Sequence, residues 1–366
     1  MDLRTVGVEE EFFLIDPGTG RLKAVSGQTV AAHATAVEVT QEMFLEQIET
    51  STRPCLTADE LLCELRAGRR AVGEAAAAAG ARVIAAGTHP LVRDTEAVTP
   101  QSRYKRIEAL GGETARQSQL CAMHVHVAVG DTSEGVRVID RIRPWLPLLL
   151  ALSVNSPYWE GRDTSFASWR SQMITRWPTA GPAEAFEGAD LYGEVAERMK
   201  SWGAAHDPGM LYFDARLSHH LPTVEIRVAD VCTEPEHAVL VALLTRALVT
   251  AMAQPTERLP VPGWWRSDLL RVATWRCARF GLGVDQVHPC NGQLAPVRTI
   301  VGDLVTMLRP TLDQAGDTER VVDLVERLLS GGSGATRQRR VFERTRELTA
   351  VVYDLADRTE ASWLTA

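Results

Sequence analysis

Val8-Glu9-Glu10-Glu11-Phe12 decides how this chain is read, because Met123-His124-Val125-His126-Val127 and Val224-Glu225-Ile226-Arg227-Val228 repeat its logic. In an extended strand, residues two apart point to the same face. Each segment therefore aims a pair of charged or metal-binding side chains one way. Glu9 and Glu11 share a face, and Glu10 points oppositely, toward the surface or a salt-bridge partner. The flanking Gly7-Val8 and Phe12-Phe13-Leu14-Ile15 favour a buried strand over a solvated edge, and buried carboxylates are costly unless they meet cations. His124 and His126 read either as structural imidazoles or as metal ligands and phosphate donors. Glu225 and Arg227 lie between Pro222-Thr223-Val224 and Val228-Ala229-Asp230-Val231. They read as buried groups rather than as a surface pair of little worth. Carboxylates, imidazoles and a guanidinium on one sheet face predict a site for divalent cations and a polyphosphate.

The bulk properties narrow the classes. A chain of 366 residues with 45% hydrophobic content can bury a large core as one big domain or two. The net charge of -8, from 39 basic and 47 acidic residues, argues against general nucleic-acid or membrane-surface binding. Three glutamates by Glu11 argue against a signal peptide. The apolar stretches around Leu146–Val154 and Ala238–Ala253 are too short, or broken by Arg246, to span a bilayer. Six cysteines without a C-x-x-C pair predict reduced, mostly buried thiols in a cytoplasmic protein.

Along the chain, a turn at Asp16-Pro17-Gly18-Thr19-Gly20 follows the first strand. The capping box Thr57-x-x-Glu60 opens a helix that runs to Gly80, and Arg82–Ala86 reads as a strand. A helix is expected over about Glu134–Asn155. The region Pro157 to Pro208 has little periodicity and suggests a lid or binding segment. Thr233-x-x-Glu236 predicts a second capping box and a helix to about Ala253, and from Trp264 onward the pattern is mainly helical. Strands early and helices late predict an α+β fold with an antiparallel or mixed sheet.

Other candidates carry two readings each. Glu42, Glu46 and Glu49 fall on one helical face, the pattern of an exposed helix stripe as much as of a site. Gly331-Gly332-Ser333-Gly334 ahead of Arg337, Arg339 and Arg340 could cradle phosphate, but a turn between helices is the better reading, since no phosphate-loop motif is present. Arg170 could clamp a substrate carboxylate or form a structural salt bridge. No motif for a serine or cysteine nucleophile is found.

Taken together, the segments resemble the carboxylate–amine ligases of the glutamate–cysteine ligase type 2 family. The blocks are Thr5-Val-Gly-Val-Glu-Glu-Glu11, Glu42 through Glu49-Thr50, Ala85-Ala-Gly-Thr-His-Pro90, Met123-His-Val-His-Val127, Asn155-Ser-Pro-Tyr-Trp-Glu-Gly-Arg-Asp163, Arg176-Trp-Pro-Thr-Ala-Gly181, Leu221-Pro-Thr-Val-Glu-Ile-Arg-Val-Ala-Asp230 and Gly334-Ala-Thr-Arg-Gln-Arg339. The resemblance implies a glutamine-synthetase-like fold: a curved, mainly antiparallel sheet forming a metal-lined funnel, with helices packed outside. It implies one catalytic domain over 1–366, with a sheet-forming portion over about 1–232 and a mainly helical portion over about 233–366. Glu9, Glu11, Glu42, Glu49, His124 and Glu225 match the metal ligands, with His124 also matching a phosphate contact. Arg227 matches the phosphate partner, and His126 sits beside His124. One departure stands out: Asp214-Ala-Arg-Leu-Ser-His-His220 occupies the place where relatives often carry Arg-Pro-Ser-Pro, so substrate contacts do not transfer to this loop.

The implied chemistry is ATP-dependent. A carboxylate is activated as an acyl phosphate, which an amine then attacks, with ADP and phosphate as products. Metals and Arg227 would stabilise the transferring phosphoryl group, and a carboxylate or His126 could take a proton from the amine. Oxygen-rich ligands with one imidazole suit Mg²⁺ or Mn²⁺. Glutamate and cysteine are the first candidate acid and amine, and a homo-oligomer is compatible with the sequence. A metal-dependent amide hydrolase built on the same ligands is the alternative, and Arg170 is the candidate substrate contact.

Overall fold

The computed structural model describes residues 3–94, 96–254 and 263–364. Its strands are β1 (Val6–Ile15), β2 (Glu38–Gln41), β3 (Gln47–Ser51), β4 (Arg82–Ile84), β5 (Ala122–Ala128), β6 (Tyr158–Trp159), β7 (Arg162–Asp163), β8 (Ala215–Leu217) and β9 (Thr223–Asp230). Seven of them form one sheet in the order β2-β3-β1-β5-β9-β8, with β4 also paired to β1. Every pairing is antiparallel. The fold is therefore α+β, as the early strands and late helices predict. Beyond residue 230 the described strands are the short pair Gln286–Val287 and Leu294–Ala295.

Period-two alternation sorts the central strands into two faces. Val6 and Val8 of β1, Met123, Val125 and Val127 of β5, and Val224, Ile226 and Val228 of β9 join one large apolar core. The helices Thr132–Ile142, Leu146–Ser153 and Pro235–Ala253 pack on that side. Glu10 points into the same face, where Arg69 of the helix Ala58–Ala78 meets it through two hydrogen bonds of 2.8 and 2.5 Å. Both side chains are wholly buried. Of the two alternatives for Glu10, the buried salt bridge holds. Arg69 also donates to the carbonyls of Cys232 and Thr233, each at 2.7 Å, and so ties β1 to the chain leaving β9.

Helix ends show where local signals held. Thr57 and Glu60 form the expected reciprocal capping box. Thr233 does not form one: the helix starts at Pro235, and Thr233 instead bonds the Ala85 carbonyl and the Asn155 amide in the buried interior. The helix expected over Glu134–Asn155 is broken into Thr132–Ile142, a 3₁₀ turn Arg143–Trp145 and Leu146–Ser153. Pro144 lacks the N–H that an unbroken helix would need there. The segment Pro157–Pro208 holds two helices, Trp169–Ile174 and Ala189–Ser201. The second buries only Tyr192 among its residues, so it carries almost no apolar period. Ser333 caps the helix Gly334–Thr345 directly after the helix Thr318–Gly331, so the glycine-rich stretch is a helix-connecting turn.

Pro235–Ala253 has the length and apolar composition of a membrane span. Here it is mostly buried inside the fold, and its Arg246 pairs with Asp317. All six cysteines are free; Cys55, Cys121, Cys232 and Cys277 are buried, and Cys63 is exposed.

Candidate active site

The face of the sheet opposite the helices carries the ionisable pairs, and the strand register brings them side by side. Glu11 lies opposite Glu49 on β3, and Glu9 lies opposite His124 on β5. His126 lies opposite Glu225 on β9, and Glu225 opposite Arg216 on β8. Directly opposed residues place their Cβ atoms about 5 Å apart, so side chains from five strands converge. They floor a cavity of about 570 Å³ lined by Glu9, Glu11, Glu42, Glu49, His124 and Arg227.

Glu42 lies in the turn between β2 and β3, where its carboxylate accepts from the Met43 amide at 3.0 Å. The segment is thus a hairpin and not a helix. Glu46, on the same helical face by spacing, turns away to Gln119 at 3.0 Å and the Ala97 amide at 3.2 Å. Glu225 and His126 are buried and do not line the cavity. Glu225 is gripped by Arg216 at 2.8 and 3.1 Å and by Arg227. His126 bonds Thr223 through Nδ1 at 3.0 Å, and its Nε2 lies 3.2 Å from Glu9 without the alignment of a hydrogen bond. Arg170 reaches the cavity wall, but it donates to Asp230 at 2.8 Å and to the Val228 carbonyl at 2.6 Å. Asp230 also accepts from the Asn155 amide, Ser156 and Ser168.

Electrostatics separate two groups of acids. Burial and the neighbouring Glu42 charge push the Glu11 carboxyl up to about 8. Burial, then Glu42, Glu9 and Glu11, raise Glu49 well above the usual carboxylate range, and burial raises Glu42. Burial also opposes ionisation of Glu225, but Arg227 and Arg216 outweigh it and hold that carboxyl down at about 2. Burial likewise works against the Glu9 carboxylate, and His124 and His126 overcome it and hold Glu9 below the usual range. Burial and the Arg227 charge push His124 down to about 4, so its imidazole is neutral at pH 7.

This donor set fits divalent cations. Crowded carboxylates that repel one another gain most when a cation sits between them. Glu9, His124 and Glu225 place donor atoms within 4.8 Å of one another, and Glu11, Glu49 and His124 do the same. A neutral imidazole has one lone pair. With Nδ1 of His124 donating to Glu9 at 3.1 Å, Nε2 keeps its lone pair and faces Glu11 at 3.9 Å.

Arg216 joins the site as well, and Asp214-Ala215-Arg216 has the same two-residue spacing as the quoted segments. Arg103, Trp177, Tyr212 and Arg271 complete the cavity lining from four separate segments off the sheet, a set that no local period reveals.

The model of the glutamate–cysteine ligase family 2 (GCS2) matches residues 5–354. A Nocardioides sp. protein named "Putative glutamate--cysteine ligase 2-1" is 46% identical over 372 residues, which cover 99% of this chain and 97% of its own length. A Streptomyces coelicolor protein named "Putative glutamate--cysteine ligase 2" is 41% identical over 365 residues, 98% of this chain and 100% of its own. Among solved structures, the glutamate–cysteine ligase of Francisella tularensis in complex with AMP superposes with a TM-score of 0.71 at 11% sequence identity. That superposition covers 100% of this chain and 90% of the other, a likeness of fold. Over nearly its whole length, the chain belongs to the glutamate–cysteine ligase family 2.

Proposed function

We propose that this enzyme is an ATP-dependent ligase that joins the carboxylate of an amino acid to an amine through an acyl phosphate, releasing ADP and phosphate. Glutamate is the first acid to test and cysteine the first amine. The observation that carries the reading is the single-face array of Glu9, Glu11, Glu49 and His124 beside Arg227, at the floor of a cavity roomy enough for a nucleotide and an amino acid. Family membership supports the reaction class, and the AMP complex of the Francisella tularensis enzyme supports a nucleotide on this fold. The amide-hydrolase alternative has no support among these relatives.

In this reading Glu9, Glu11, Glu42, Glu49, His124 and Glu225 hold Mg²⁺ or Mn²⁺, which neutralises phosphate charge when bound. Arg227, aimed from β9 into the cavity, meets the transferring phosphoryl oxygens, and Arg216 fixes Glu225 behind it. His126 orients Glu9 from outside the cavity. Arg170, engaged by Asp230, shapes the wall next to Val228 and keeps a substrate contact as a secondary role. Residues 1–366 act as one catalytic domain, and free, mostly buried cysteines support a cytoplasmic location.

Hydroxylamine tests the reading, because a small, strong nucleophile intercepts an acyl phosphate without filling the amine pocket. Glutamate, ATP and Mg²⁺ should give a hydroxamate matched by ADP. AMP and pyrophosphate as products would exclude the acyl-phosphate route, and amide hydrolysis without nucleotide would restore the hydrolase.

A further inference from the structure

One acidic side chain on the cavity wall has no place in the chemistry described so far. Asp214 immediately precedes β8. Its amide donates to the Gly181 carbonyl at 3.2 Å, and its carbonyl accepts from the Arg227 amide at 2.9 Å. The pairing of β8 with β9 sets Arg216 opposite Glu225 and Ala215 opposite Ile226, so Asp214 falls opposite Arg227. Ala215 and Ile226 are buried in the apolar core. By alternation, Asp214 and Arg216 take the other face, and both line the cavity.

What distinguishes Asp214 is the lack of a partner. Among the described residues, no group hydrogen-bonds its carboxylate. Asp230, nearby on β9, collects four donors, from Asn155, Ser156, Ser168 and Arg170. The cations around Asp214 are committed elsewhere: Arg227 and Arg216 to Glu225, and Arg170 to Asp230. A wall carboxylate left without a cation, one strand spacing from the residue that faces the phosphoryl group, suits a cationic nucleophile.

We propose that Asp214 receives the amine substrate as its ammonium ion and takes the proton that must leave before nitrogen can attack. Building on the ligase reading, this assigns the amine side of the site. The ammonium proton passes to Asp214 and on to solvent. The freed lone pair then forms the C–N bond at the acyl carbon while the C–O bond to phosphate breaks, and the phosphate leaves with that electron pair. The second nitrogen proton departs with the phosphate as hydrogen phosphate. Burial pushes the Asp214 carboxyl up to about 7, opposed by Arg170, which suits proton exchange near neutral pH. His126 is the rival proton acceptor, but it stands outside the cavity with Thr223 and Glu9 as its neighbours.

The test compares two nucleophiles on the full-length protein with ATP, Mg²⁺ and glutamate. Cysteine reaches the enzyme as an ammonium ion; hydroxylamine is already uncharged at neutral pH. In Asp214→Asn, amide formation with cysteine should fall by roughly 10²–10⁴-fold, the usual contribution of a positioned base. Hydroxamate formation should stay near the parent's. Raising the pH should restore part of the cysteine reaction in the variant, since more amine is then uncharged. Equal loss with both nucleophiles, or no loss with cysteine, would overturn the assignment. If the asparagine variant does not fold, Asp214→Glu takes its place. It keeps the carboxylate and should slow the cysteine reaction alone, and equal slowing of both would overturn the proposal. A parent enzyme that makes neither hydroxamate nor ADP overturns the ligase reading itself, a result distinct from failure of Asp214 alone.

Discussion

Replacing Arg69 with methionine should remove much of the stability of the fold while leaving every group in the cavity untouched. Arg69 sits behind the sheet, wholly buried, with Glu10 at 2.8 and 2.5 Å and two carbonyls at 2.7 Å. Methionine fills part of the same volume but removes all five guanidinium donors. Glu10 is then a buried carboxylate without its cation, and breaking such a pair from one side costs about 3–5 kcal/mol. The orphaned carbonyls of Cys232 and Thr233 add to this by less than the sum of their separate costs, because all belong to one network. The expected loss is about 4–6 kcal/mol, against a total of about 5–15 kcal/mol for a typical domain. Urea unfolding followed by tryptophan fluorescence measures it as a lower midpoint at an unchanged slope. The double variant Arg69→Met with Glu10→Leu should recover most of the loss, since an apolar pair often replaces a buried ion pair at little cost. A single variant within about 1 kcal/mol of the parent, or a double variant no better than the single, would refute this account.

Glu11→Gln removes a carboxyl that would ionise when a cation binds among the crowded acids, so the Mg²⁺ needed for half-maximal ATP turnover should rise roughly tenfold or more; an unchanged Mg²⁺ dependence counts against Glu11 as a ligand. Arg227→Lys keeps the charge without the planar fork, so kcat should drop roughly 10²-fold with a smaller change in KM for ATP; a collapse in melting temperature with normal activity per folded molecule would make Arg227 structural. His89 is buried against the Gly20 carbonyl at 2.9 Å, and burial pushes it down to about 4. Its folded pKa lies below the unfolded value, so the stability it contributes is present above about pH 6.5 and is lost as the pH falls through about 4. The unfolding free energy of the parent should therefore fall more steeply with decreasing pH between those limits than that of His89→Gln, and parallel slopes would contradict the burial argument.

The central strands were legible because every second residue is charged or polar within apolar sequence, and that contrast survives only when one face is core and the other is a site. The acidic hairpin was not legible. Its turn spaces Glu42, Glu46 and Glu49 by four and three, the spacing of a helical face, and only the pairing of Gln47–Ser51 with β1 decides the matter. Thr233-x-x-Glu236 had the letters of a capping box, but the Thr233 hydroxyl was drawn to Asn155 and Ala85 in the interior, contacts that no local window contains. Asp214 and Arg216 carried the right spacing, yet Asp214 only precedes, and Arg216 sits within, a three-residue strand where alternation has too little length to stand out. The cavity wall built from segments off the sheet was invisible for a different reason: its residues meet only after the chain has folded.

That division between floor and wall has an evolutionary consequence. The groups proposed for metal and phosphoryl binding are mostly on paired strands, where a one-residue slip would turn those strand residues away. Trp177, Tyr212 and Arg271 belong to connecting segments and a helix face that no ladder pins in register. Substitutions there can reshape the pocket for a bulkier acid or a different acceptor without disturbing the donors beneath. New amide-forming specificities are therefore most accessible by redesigning the roof over an unchanged floor.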